Sequence, residues 1–211
     1  MRSPQLQHAI EQVYAEFRAA KPRTIEGCPR GTDAKEVCRL LSKDLRALTS
    51  KDLSHYGASL FLTMGDEADF QYFLPRLLDI ATTEDWWPSP PVLLEKLKLA
   101  HWQSWPEHRR AVVKRVIDVW YDECLDADRV GGSDIDDLLC GIARADLPLD
   151  EYLDALSKHP EDLQAFFDLH AHAFFKRGRL GTAFWKDNTV GELAVLDFLD
   201  APAVREQLEL S

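Results

Sequence analysis

Thr63-Met64-Gly65-Asp66-Glu67-Ala68-Asp69-Phe70-Gln71-Tyr72-Phe73-Leu74-Pro75-Arg76-Leu77-Leu78 holds a helix stop, a helix start and an apolar stripe in one short run. Gly65 suits the left-handed residue that ends a helix. Asp66, with Asp69 three residues on, suits the cap of the next. Phe70, Phe73, Leu74, Leu77 and Leu78 then recur at spacings of three and four, which places them on one helical face. Pro75 falls inside that stripe, where it removes one backbone hydrogen bond and predicts a kink.

The same grammar extends in both directions. Upstream, Leu6, Ile10, Val13, Tyr14 and Phe17 mark a first helix that Pro22 should end, and residues 22–32 read as a loop. Asp33 with Glu36 predicts a capped helix carrying Val37, Leu40 and Leu41; Thr49 with Asp52 predicts another carrying Leu53, Tyr56, Leu60 and Phe61. Downstream, Trp86-Trp87-Pro88-Ser89-Pro90-Pro91 is a stiff connector. A helix resumes from Val92 to His101. A longer one runs from Pro106 to Leu125, with Val113, Val116, Ile117, Trp120 and Cys124 as its core face. Gly131-Gly132 breaks the chain, and Ser133 and Asp136 are expected to cap a helix that turns Ile135, Leu138, Leu139 and Ile142 inward. Helices over 149–157, 160–176 and 189–200 and a last turn after Pro202 complete the pattern. No strand-length run alternates β-branched residues. The expectation is an all-α chain of about ten helices in a single domain, 1–211. Short connections favour antiparallel hairpins stacked in sequence order. Ala58 to Ala68 followed by Phe73 to Leu78 resembles a HEAT-type helical pair, so a HEAT-like α-solenoid array is the preferred architecture and a globular helical bundle the alternative.

Composition narrows the function classes. The chain has 211 residues, 45% of them apolar, and a formal net charge of −11. Residues 1–50 hold 9 Lys+Arg against 6 Asp+Glu, or +3, so the remainder carries −14. An acidic body argues against non-specific nucleic-acid binding, which needs cations for phosphates, and permits a basic protein partner, although solubility alone explains the charge as well. No apolar run approaches the roughly 20 residues of a membrane span. The first residues lack the apolar segment of a secretory signal, so a cytoplasmic location with reduced thiols at Cys28, Cys38, Cys124 and Cys140 is expected.

Five candidate sites follow. Asp126, Asp128, Gly131, Asp134 and Asp137 fall at positions one, three, six, nine and twelve of a calcium loop, but Val130 and Ser133 do not fit it and Asp137 is shorter than the usual Glu. A capping turn accounts for the same residues. His170 and His172, two apart on one helix, point in different directions and cannot share a metal; His170 continues the stripe Leu163, Phe166, Phe167, Phe174 and reads as a core-edge histidine with a hydrogen-bond partner. His101 and His108 flank Trp102 and Trp105 across a turn and could meet a carboxylate, though nothing in the spacing demands it. Trp86 and Trp87 either tuck into a helix groove or serve as binding anchors, with tucking the first expectation. Lys176, Arg177 and Arg179 sit where cations offset a helix C-terminus, and could also contact an anion. No Gly-x-Ser-x-Gly elbow, phosphate loop or His-Glu-x-x-His motif is present, and no cofactor is implied.

Four motifs, Asp52-Leu53-Ser54-His55-Tyr56, Thr63-Met64-Gly65-Asp66, Phe73-Leu74-Pro75-Arg76 and Phe184-Trp185 before the apolar run Leu193 to Leu199, together span most of the chain. In these the chain resembles a family of uncharacterised bacterial all-helical proteins that also share an early Cys-Pro-x-Cys turn. Here that turn reads Cys28-Pro29-Arg30-Gly31, without the second cysteine. Cys38 could replace it only if the turn folds back, and two thiols fall short of a zinc site. The resemblance implies fold rather than activity. The expected function is a non-enzymatic protein–protein interaction module. The alternatives are a toxin-neutralising immunity-type protein, or a small-molecule or metal-dependent enzyme with a site between helices.

Overall fold

The computed structural model describes residues 2–25, 27, 34–125 and 132–209. It is 74% helical. Eleven α-helices are formed among the described residues: α1 (Pro4–Glu16), α2 (Ala34–Ser42), α3 (Ser50–Ser59), α4 (Glu67–Ala81), α5 (Pro90–Leu99), α6 (Glu107–Leu125), α7 (Gly132–Arg144), α8 (Asp150–Ser157), α9 (Pro160–Arg177), α10 (Thr189–Asp200) and α11 (Pro202–Gln207). Short 3₁₀ turns occur at Leu45–Ala47, Trp102–Ser104 and Ala183–Asp187. The described residues form no strand, only isolated bridges joining Gly27 and Leu60 to Met64. None of the described helices is long and apolar enough to cross a membrane. The chain divides after Trp120, within α6, into two compact units.

In the N-terminal unit, α4 is the central element. Phe70, Phe73, Leu74, Leu77, Leu78 and Ile80 are all buried, and α4 packs on α1 and α3. Its start is fixed by the reciprocal cap of Asp66 and Asp69, and α3 starts in the same way with Thr49 and Asp52. Each cap satisfies backbone donors that the first turn would otherwise leave bare. Gly65 is held at φ +75°, and a side chain there would strike Leu60 and Tyr56. Pro75 lies within α4 and is buried.

The first helix ends at Glu16, not at Pro22, with Phe17 as its C-cap. The following segment is drawn away by Lys21, whose ammonium donates to the carbonyls of Leu41 (3.2 Å) and Lys43 (2.7 Å) at the end of α2. Lys96 plays the same part for α3: buried among apolar side chains, it donates to Ala58 O at 3.2 Å and Leu60 O at 2.9 Å. Burial holds its pKa below the usual lysine value. Asp33 lies outside the described residues, and Glu36 contacts the His55 ring (2.6 Å to Nδ1).

A polar network ties α1 to α4. The Asp79 carboxylate accepts from Arg2 Nη1 at 2.9 Å, the Tyr14 hydroxyl at 2.9 Å and Arg76 Nη1 at 2.6 Å. Arg76 Nε also donates to Leu48 O at 2.7 Å. Burial alone would raise the Asp79 pKa, but the three donors outweigh it and hold the carboxyl below its ordinary value.

In the C-terminal unit, α7 is central. It packs most extensively on α9 and also meets α10 and the Ala183–Asp187 turn. Ile135, Leu138, Leu139 and Ile142 face inward as expected. The helix starts so close to α9 that a Cβ on Gly132 would lie 2.2 Å from Ala165 O. Gly132→Ala therefore forces two backbones apart and is expected to destabilise the unit by about 2 kcal/mol. An unchanged urea midpoint would refute that close approach. Trp120, expected in the core, is only half-buried; Tyr121 occupies the buried position, donating its hydroxyl to Tyr152 O at 3.1 Å.

Candidate functional site

The connector between α4 and α5 separates its two tryptophans. Trp86 is buried, and its indole Nε1 donates to Ser50 O (3.0 Å) and Ser54 Oγ (2.7 Å) on α3. Pro88 is buried against Gly57, where an added Cβ would meet its ring at 3.0 Å. Between these two fixed residues Trp87 is 55% exposed. Tucking therefore holds for Trp86 and not for Trp87. A rigidly flanked aromatic loses little further freedom on contact with a partner, which is the property of a binding anchor.

The C-terminal unit contains a histidine–carboxylate cluster. Asp136, expected as a cap of α7, lies one turn in and is 2% exposed; His170 on α9 is 0% exposed. Asp136 Oδ1 accepts from Trp185 Nε1 at 2.6 Å and Oδ2 from Thr182 Oγ1 at 2.7 Å. The Gly181 amide donates to His170 Nδ1 at 3.0 Å. An accepting nitrogen carries no proton, so the neutral ring bears its hydrogen on Nε2. That nitrogen lies 3.0 Å from Asp136 Oδ1 but off the line of a hydrogen bond. The cluster clamps α7, α9 and the 180–185 segment together. The polar partner expected for His170 is present, but the ring is fully enclosed rather than at the core edge. His172 is exposed. His108 meets Glu16 at 3.0 Å, while His101 is exposed in the left-handed region.

Asp126 and Asp128 of the calcium pattern lie outside the described residues, as does Cys28. Asp134 is exposed and Asp137 half-buried on α7. Among the described residues no group of three His, Cys, Asp or Glu side chains is placed to hold a metal ion. Burial pushes the thiols of Cys124 and Cys140 up to about 12, so both are protonated and unreactive at neutral pH. Cys38 is exposed.

Lys176 and Arg177 occupy the last turn of α9, and Arg179 follows the left-handed Gly178. All three are exposed. Arg179 Nε approaches Glu192 Oε1 at 3.5 Å. Sequence reasoning did not single out three exposed apolar side chains: Phe175 beside the cluster on α9 is 62% exposed, and Val190 (82%) and Leu193 (53%) stand uncovered on α10. Phe175 departs from the apolar stripe of α9 by one position, the one signal that could have marked it. Charge is also partitioned. Residues 121–211 hold 8 Lys+Arg against 20 Asp+Glu, net −12, and residues 1–120 hold 17 against 16, net +1.

No family model, curated protein or solved structure matches the chain.

Proposed function

We propose that this chain is a non-enzymatic protein-interaction module of stacked antiparallel helical hairpins, HEAT-like in the Ala58–Leu78 pair, with Trp87 as a binding anchor. One observation carries this reading: a large aromatic is half-exposed while both its neighbours are fixed against the helices beneath. The enclosed His170–Asp136 cluster supports it from the other side. Its polar atoms serve Gly181, Thr182 and Trp185, which is what a structural clamp requires and leaves a substrate no access.

The test is affinity capture of the tagged full chain from lysate of its source cells, comparing the wild type with Trp87→Ala. A stoichiometric partner is expected to be retained by the wild type and lost from the variant, whose thermal stability should stay within about 0.5 kcal/mol because the side chain is largely exposed. A partner retained equally by both would remove Trp87 from the reading. A second reading, an immunity-type protein that neutralises a basic toxin, draws on the −12 charge of residues 121–211. It requires capture that is lost on reversing carboxylates of the C-terminal unit.

A further inference from the structure

From the exposed apolar and cationic side chains along the last turns of α9 and at the start of α10, we propose a docking face for an amphipathic helix of another protein bearing Asp and Glu beside its apolar stripe. The inference rests on the protein-interaction reading and adds a second surface and the chemistry of its partner.

The C-terminal unit is so acidic that its cations should find carboxylates at once, and the other described ones are engaged. Lys158 pairs with Asp154 at 2.6 Å, and Arg205 with Asp200 at 2.8 Å. Arg144 is engaged by Phe184 O at 2.7 Å and approaches Asp187 at 4.0 Å. Lys176, Arg177 and Lys186 differ: none forms an ion pair with a described residue, and all three are exposed. With Arg179 they make half of the unit's 8 Lys+Arg within one 11-residue stretch. Offsetting the carbonyl end of α9 accounts for Lys176 and Arg177. It does not account for Lys186, nor for the apolar groups beside them.

Those apolar groups lie on the last turns of α9 and the first turn of α10. Leu169, His172, Phe175 and Lys176 share the exposed side of α9. The Leu180 amide donates to Glu192 Oε1 at 3.1 Å and Arg179 approaches the same oxygen, which ties the end of α9 to the first turn of α10, where Val190 and Leu193 are exposed. Exposed apolar side chains on these helices, with cations in the same stretch that form no ion pair with a described residue, fit an apolar stripe flanked by carboxylates. The charge of the unit selects among anionic partners. A helix is only about 10–12 Å across and need touch no more than these two helices. An anionic bilayer or a nucleic acid extends far past it and would set its own charge against the surrounding carboxylates.

The test is selection on the full-length chain from a displayed library of helical peptides randomised at apolar and charged positions. Enriched peptides should carry Asp or Glu beside apolar residues spaced three and four apart. Their affinity should fall at least tenfold for Phe175→Asp and for Lys176→Glu/Arg177→Glu, variants at exposed positions whose folding is checked by circular dichroism. No enrichment, enrichment in Lys or Arg, or equal binding to these variants would overturn the proposal. So would co-sedimentation with phosphatidylserine vesicles that the same variants abolish. Each peptide is also measured against Trp87→Ala. Binding that survives this change separates the face from the Trp87 anchor, so a failure here leaves Trp87-dependent capture standing, and the reverse.

Discussion

Asp136→Ala is expected to cost about 3–5 kcal/mol, from two donors left without their acceptor, a larger loss than for the other polar side chains described above. The substitution removes the acceptor of the buried Trp185 Nε1 and of the part-buried Thr182 Oγ1, and the carboxylate that faces His170 Nε2. Asp136, His170 and Trp185 are all buried, so the Trp185 N–H is left without a ready substitute from bulk water. Asp136→Asn should cost much less: its carboxamide oxygen accepts from Trp185 Nε1, and its N–H donates to Thr182 Oγ1, because a hydroxyl also accepts. The measurement is thermal unfolding together with hydrogen exchange. Protection should fall across α7, α9 and residues 180–185, the elements the carboxylate joins. A loss under about 1 kcal/mol would mean that the clamp contributes little and that apolar packing of α7 on α9 suffices.

Asp79→Ala ranks second, at about 3 kcal/mol, because Arg2 and Arg76 are left part-buried with one partner fewer and Tyr14 loses its acceptor. The loss should depend on pH. The donors around Asp79 hold its folded pKa below the unfolded value. Asp52 behaves alike: burial would raise it, but bonds from Lys43 (2.6 Å) and from the amide and hydroxyl of Thr49 bring it down to about 2. A depressed carboxyl contributes its full stability above the unfolded value, about 4, and surrenders it as pH falls through the folded value. The melting temperature of the wild type should therefore drop between about pH 4 and pH 2. Asp79→Asn, which cannot titrate, should show a shallower drop over that window. Equal slopes in the two proteins would assign acid sensitivity to other groups. Tyr14 plays no part in this range, since burial and Asp79 raise its pKa and it remains a phenol donor.

What was legible in the sequence was local. The caps of α3 and α4 join residues three apart, and both form as the spacing predicts. Helices expected over 160–176 and 189–200 appear as Pro160–Arg177 and Thr189–Asp200, since proline or asparagine at the start and glycine or proline past the end act within one turn. What was not legible depends on residues far apart in the chain. Asp136 reads as a cap until Thr182 and Trp185, 46 and 49 residues away, claim its oxygens. The end of α1 was misplaced because Lys21 answers to carbonyls 20 and 22 residues later. Trp86 and Trp87 are chemically identical neighbours, and only the position of Ser50 and Ser54 beneath one of them decides which is buried.

The uneven placement of charge gives dissolved salt two opposite effects on one polypeptide. The N-terminal unit, near neutrality at +1, draws its electrostatic stability from close pairs such as Arg2–Asp79 and Lys43–Asp52, and added ions weaken such pairs. The C-terminal unit, at −12, is strained chiefly by repulsion among its own carboxylates, and the same ions relieve it. Ionic strength thus acts as a dial that shifts the relative robustness of the two units without touching a single residue.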